Sequence, residues 1–274
     1  MKQLITILFC CLLLSADAQD DTSFHFIRKI SGDIVGFTVD NLDNIYILNS
    51  RNQVKKINAN GDSVAVYNNI RKFGQTTLID VSNPLKVLLY YKDFATVAML
   101  DRFLNVVNTV DLRKQNILQA KAIAQSYDNK IWVYDEVENK LKKVDESGKL
   151  LQETPDFRLL LDVAAQPIKI FDENKFVYLY DSTYGVYVFD YYGTLRNNIT
   201  ITGWQNFKVA GKYIYGSKAD TLYRYDISDF QYDEWKLPGQ LQNALSFNFT
   251  AGRVYALKSE ADKKTFSLLV YTVR

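Results

Sequence analysis

The chain has 274 residues, of which 47% are hydrophobic and 23% charged, a balance that supplies a core and excludes a disordered protein. Its net charge of +2 gives no basic stripe, so nucleic acid is not an expected partner. The 19 Tyr and 16 Phe against 12 Gly and 4 Pro favour pleated strands over helices.

Residues 1–18 read as a secretory signal, with Lys2 as the positive n-region, Leu4 to Leu14 as the apolar stretch and Ala16-Asp17-Ala18 as the cleavage site. Cleavage after Ala18 leaves Gln19 first and roughly 256 residues, 19–274, as one expected domain. The apolar run of about 11 residues is too short to span a bilayer as a helix. Lipidation at Cys11 fits poorly, because Phe9 and Cys10 stand where small residues usually precede a lipidated cysteine. No other stretch is apolar for about 18 residues, so the expectation is an extracytoplasmic monomer, periplasmic or secreted, without a membrane span. Both cysteines, Cys10 and Cys11, leave with the signal. Thiolate catalysis, cysteine-ligated zinc and iron–sulfur clusters are thereby excluded from the mature chain. His25 is the single histidine, so a triad base or a histidine-rich metal site would stand without partners.

A self-similar unit follows. Asn44 to Asn49 and then Gln53 to Gly61 read as strand, loop, strand and tight turn; the pattern returns at Lys130–Asp135 with Lys140–Gly148 and at Phe176–Asp181 with Val186–Gly193. Weaker copies are Val87–Tyr91 with Val97–Asp101, Tyr213–Tyr215 with Leu222–Asp226, and Val254–Leu257 with Leu268–Val273. The residues closing the second strand, Asn58, Asp101, Asp145, Asp190 and Asp226, recur about every 43 residues with a shorter last step, a propeller-blade period. An Asx side chain bonds backbone two residues on, and Gly61, Gly148 and Gly193 supply the positive φ of a bulged hairpin. Units two and five have Leu104 and Asp229 at that place, so different turns are expected there.

Each unit gains a preceding strand: Ile34–Val39, Thr77–Ser82, Lys121–Tyr127, Pro167–Phe171, Gln205–Ala210 and Asn243–Phe249. A following strand comes from Ser63–Tyr67, Asn105–Leu112, Lys149–Thr154, Thr194–Ile201 and Asp233–Leu237. The sixth unit ends at Arg274 one strand short, and Phe24–Ile30 is a strand without a unit. A circular array resolves both: an all-β six-bladed β-propeller, four antiparallel strands per blade, closed by the N-terminal strand.

Gly36-Phe37-Thr38-Val39-Asp40, then Asn44-Ile45-Tyr46-Ile47, then Gln53-Val54 to Gly61 resembles an NHL repeat, with fuller agreement in units three and four than in two, five and six. The resemblance implies an NHL-like six-bladed propeller, here an extracytoplasmic bacterial member. Such propellers include protein-binding platforms and nucleic-acid binders, and related ones include lactonases and lyases; the fold does not select among them.

Loops joining one blade to the next share a face with the loops inside the motif hairpins. There Arg71, Arg113 and Arg158 recur at one blade position and suit an anionic or carboxylate-bearing ligand, or stand as solvated loop charges. Asp135 and Asp181 end equivalent strands in adjacent blades, with Asn49 at the same place in the first; they could bind calcium or act as an acid/base pair, or simply cap strand ends. Trp204 follows Gly203 in a loop, where a large apolar side chain has less structural reason to be, and is a candidate partner contact. A lactonase-like site needs an inner-strand carboxylate: Asp80 is one, with no inner-strand Glu expected beside it. The tyrosines from Tyr178 to Tyr192 suit either stacking on a ligand or packing between blades. No P-loop, dinucleotide fingerprint, nucleophile elbow or HExxH pattern is present. The expected function is a non-enzymatic envelope platform for a protein or glycan, with no required cofactor. The alternative is a propeller hydrolase or lyase, lactonase-like and calcium-dependent.

Overall fold

The computed structural model describes residues 24–68, 70–161, 163, 165–260 and 265–273, without the side chains of Ile70 and Arg71. The signal segment 1–18, the cleavage junction and Cys11 lie outside the described residues.

The chain starts with β1 (Phe24–Gly32) and then builds blade one from β2 (Gly36–Val39), β3 (Ile45–Leu48), β4 (Val54–Ile57) and β5 (Ser63–Tyr67). Blade two is β6 (Leu78–Asn83), β7 (Lys86–Tyr91), β8 (Thr96–Asp101) and β9 (Val106–Asp111); blade three is β10 (Ala120–Gln125), β11 (Ile131–Asp135), β12 (Lys140–Val144) and β13 (Leu150–Glu153). Blade four is β14 (Lys169–Glu173), β15 (Phe176–Asp181), β16 (Gly185–Asp190) and β17 (Leu195–Ile199). Blade five is β18 (Gln205–Ala210), β19 (Tyr213–Lys218), β20 (Thr221–Asp226) and β21 (Tyr232–Lys236). The last sheet joins β22 (Ser246–Thr250), β23 (Arg253–Ser259) and β24 (Phe266–Val273) to β1, which lies antiparallel to β24. The expected closure by the N-terminal strand is therefore observed, and the fold is a six-bladed β-propeller of four-stranded antiparallel sheets.

Alternating apolar residues on the middle strands place one hydrophobic cluster in each of the six interfaces between consecutive blades, including the interface of blade six with blade one. Asp43, in the β2–β3 turn, adds a polar clasp at that interface: its carboxylate accepts from the Thr250 hydroxyl (2.7 Å) and the Tyr255 hydroxyl (2.6 Å) and pairs with Arg253 (3.0 Å). Arg28 of β1 reaches the carbonyl of Ala59 in blade one.

The Asx turns follow the expected chemistry. Asn58, Asp145 and Asp190 each accept from the backbone N–H groups two and four residues on, and the third and fourth strands show a register shift beside each turn. Blade two departs from expectation by keeping this same turn without glycine. Asp101 accepts from Phe103 and Asn105, the register shift is present, and Leu104 takes φ 63°. Burial of Leu104 in the core between blades one and two offsets the backbone strain, because an aliphatic side chain recovers more on burial than the left-handed conformation costs. Blade five does differ: its turn is one residue longer, Phe230 takes φ 61°, and the register shift is absent.

Candidate functional site

Arg113 and Arg158 occupy equivalent places in inter-blade connections, where short helical turns, Leu112–Gln115 and Phe157–Leu160, replace the irregular loops expected. The cause is a repeated Asp-apolar-Arg sequence. Asp111 and Asp156 accept from the backbone N–H of Arg113 and Arg158, while Leu112 and Phe157 between them are buried. Each arginine also bonds its own capping aspartate, Nε to Oδ1 at 3.0 Å for Arg113 and 2.9 Å for Arg158. These bonds hold both aspartates below the usual carboxylate range. The guanidinium side chains stay open to solvent, at 50% and 59% exposure. Arg71 belongs to a third short helical turn, Ile70–Phe73, and its side chain is outside the described residues.

Asp135 and Asp181 both cap the loop after their strand. Asp135 accepts from the N–H groups of Val137 and Glu138, and Asp181 from those of Thr183, Tyr184 and Gln166. Asn49 does the same for Arg51 and Gln53. Asp135 also forms a buried ion pair with Lys142 at 2.8 Å, a partner that sequence reasoning missed. Among the described residues no group of three or more His, Cys, Asp or Glu side chains gathers in a metal-binding arrangement.

Trp204 has a structural reason to be where it is. It is 7% exposed, its ring stacks on Tyr223 at 5.1 Å and meets the edge of Tyr232, and its carbonyl accepts from the Tyr180 hydroxyl. Gly216 makes the slot, since a Cβ there would fall 2.5 Å from the indole. The expectation of a freely offered Trp204 is therefore corrected: the ring packs between blades four and five. Half of the tyrosine cluster packs likewise, with Tyr178, Tyr180 and Tyr187 buried, Tyr191 partly buried, and Tyr184 and Tyr192 exposed.

The loop face does carry exposed apolar side chains beside the two arginines. In blades two to four these are Phe94, Leu118 (60% exposed), Val137, Leu159 (86% exposed), Ile168 and Tyr184. The opposite face exposes large apolar residues at hairpin tips spread over five blades: Leu42, Leu85, Phe103, Tyr127, Tyr192 and Phe230.

A second group of chemistry-bearing residues lies on the axis. Cross-strand register puts one residue per blade on each level of the inner strands. At one level stand Gly36, Leu78, Ala122, Lys169, Gln205 and Ser246, paired with Leu48, Tyr90, Tyr134, Tyr180, Ser217 and Leu257. The next level holds Thr38, Asp80, Ala124, Phe171, Lys208 and Asn248. Lys208 donates to the Val39 carbonyl (2.9 Å) and to Asn248 Oδ1 (3.0 Å), linking blade five to blades one and six. Burial lowers its ammonium pKa to about 8, against the opposing pull of Asp40, Asp43, Asp80 and Glu173. Burial likewise pushes Lys169 down and the Asp80 and Glu173 carboxyls up. Lys169 is nevertheless an exposed residue at the start of β14. Glu173 corrects the expectation that no inner-strand Glu accompanies Asp80, because β14 runs two residues past Phe171.

Blade count and closure through β1 place this chain among the six-bladed β-propellers. No protein-family model matches it, and no curated protein matches it in sequence, so the NHL resemblance rests on the repeat residues alone. It is similar to the structure of a streptogramin B lyase, at 17% identity over 85% of this chain and 77% of that one, with a TM-score of 0.55. The virginiamycin B lyase of Staphylococcus aureus is 11% identical over 92% of this chain and 100% of that one, with a TM-score of 0.58. The Pan2 WD40 domain of Neurospora crassa is 8% identical over 91% and 95%, with a TM-score of 0.59. At such identities the likeness is one of fold.

Proposed function

We propose that the mature protein is an extracytoplasmic, non-enzymatic propeller that binds a protein or glycan of the cell envelope through its loop face. The observation that carries this reading is the set of exposed apolar side chains that three consecutive blades present around Arg113 and Arg158. A partner excludes water from Leu118 and Leu159, while the two guanidiniums favour acidic groups at the rim. The residue chemistry speaks for binding over the lyase or hydrolase alternative. The Asp135 and Asp181 carboxylates are committed to loop caps. A histidine-to-alanine form of the staphylococcal lyase is described as catalytically inactive, whereas the one histidine here, His25, lies exposed on the outermost strand β1.

Capture of partners from envelope extracts tests the reading. Arg113→Gln with Arg158→Gln should weaken capture and its salt dependence while leaving the melting temperature nearly unchanged, because exposed ion pairs contribute little to stability. Capture equal to that of the unaltered protein contradicts it. The compartment is tested separately by the mass of protein recovered from a secreting host, which should begin at Gln19; an intact Met1 or a lipid on Cys11 contradicts secretion by signal cleavage.

A further inference from the structure

On the face opposite Arg113 and Arg158, one carboxylate holds aromatic side chains of two blades together. Asp172, in β14 of blade four, accepts at Oδ2 from the Ser126 hydroxyl (2.9 Å), the Tyr127 N–H (3.2 Å) and Trp132 Nε1 (2.9 Å) of blade three, and at Oδ1 from the Tyr191 hydroxyl (2.6 Å) of its own blade. The Tyr127 ring lies against that of Tyr191, with centroids 4.3 Å apart and planes 12° from parallel. Lys143 of β12 pairs with Asp128 at 3.0 Å. Its ammonium stands 5.1 Å from the Tyr127 centroid, 5.7 Å from that of Tyr191 and 4.8 Å from that of Trp132.

Those distances fix which face of Tyr127 is free. An ammonium nearly equidistant from two centroids 4.3 Å apart sits beside the stack, not beyond it, so it does not cover the outer face of Tyr127. Tyr191 covers the inner face alone, and Tyr127 remains 66% exposed. Tying down the turn and the ring of an exposed tyrosine costs conformational freedom that burial does not return. What results is a flat aromatic surface already set for a ligand, which then binds without a further ordering cost.

We propose that the outer face of Tyr127 is a stacking platform for a pyranose ring of a neutral glycan. A pyranose turns slightly positive C–H groups toward the negative face of an aromatic ring and carries hydroxyls round its edge. Lys143 already takes the place of a cation against these rings, and Asp128 and Asp172 repel an anion, so an uncharged ligand fits. At the rim, the partly exposed Asp128 carboxylate and the exposed Asn129 carboxamide, next in the same turn, offer partners for the hydroxyls. This platform is separate from the loop face and does not depend on the partner proposed there.

Maltotriose and chitotriose, both uncharged, are the probes, titrated calorimetrically into the full secreted chain. At least one should bind one to one with a Kd of about 1 mM or tighter, unchanged between about 0.05 and 0.5 M salt. Tyr127→Ala should weaken it at least about tenfold while still melting cooperatively, and Tyr127→Phe should retain it, because stacking needs the ring and not the hydroxyl. Arg113→Gln with Arg158→Gln should bind the sugar as the unaltered chain does. A hexaproline peptide that binds where neither sugar does, and is lost in Tyr127→Ala, overturns the glycan in favour of a peptide platform. Sugar affinity that falls steeply with salt overturns the neutral ligand. No binding of either trisaccharide at about 10 mM, or binding indifferent to Tyr127→Ala, overturns the site altogether.

Discussion

Replacing Asp43 by Ala tests how the ring is held shut. The carboxylate accepts two hydroxyl hydrogen bonds from blade six and pairs with Arg253, both partners being about one quarter exposed. Hydrogen bonds to a charged acceptor are worth about 1.5 kcal/mol each at the lower end, and a partly screened ion pair adds about 1 kcal/mol. Asp43 also holds φ 62°, a conformation that alanine adopts at a cost of about 1 kcal/mol. The sum is about 5 kcal/mol, or a fall in melting temperature of roughly 10 to 20 °C for a domain of this size. Asp43→Asn, which keeps an acceptor and tolerates the backbone, should lose less than half as much. Asp233→Ala, which removes an exposed partner of Arg224 in blade five, should change little. Scanning calorimetry reads all three. An Asp43→Ala protein melting within about 2 °C of the unaltered chain refutes the clasp.

Trp204→Ala should cost about 3 to 5 kcal/mol by emptying the slot over Gly216, read as a drop in denaturant midpoint; an unchanged midpoint returns Trp204 to the surface. Lys208 has a native pKa of about 8, below its value of about 10.4 when unfolded, so between these the unfolded chain binds more protons and stability rises with pH. Lys208→Met should lack that increment, so the melting-temperature difference between the two proteins should shift in favour of the unaltered chain from pH 7.5 to 9.5; a constant difference contradicts a depressed pKa. Deleting residues 19–31 removes most of β1, bares the edge of β24 and should abolish cooperative melting; a deletion that melts like the full chain contradicts closure through β1.

The blades were legible because strand alternation and Asx turns are local signals repeated at one period. Ring closure followed from counting strands, since the three-strand last unit and the spare Phe24–Ile30 complete each other. The axial cluster was hidden for the opposite reason. Asp80 is readable as an inner-strand carboxylate, but Lys169 and Lys208 look like ordinary solvent-facing residues in their own segments, and only the relative register of the inner strands brings them to neighbouring levels. Trp204 was misread because the missing Cβ that admits its ring belongs to Gly216, on a strand beyond the next. The helical turns of Arg113 and Arg158 carried a readable signal after all, an aspartate two residues before each arginine, whose carboxylate both caps the turn and bonds the guanidinium.

A photo-crosslinking residue placed in turn at Leu118 and Leu159 on the loop face, and at Leu85 and Phe103 on the opposite face, tests the binding face most directly in cells that secrete the protein. The account predicts a crosslinked envelope partner from Leu118 and Leu159 and none from Leu85 or Phe103. Adducts formed from the opposite face alone, or equally from both, would contradict it.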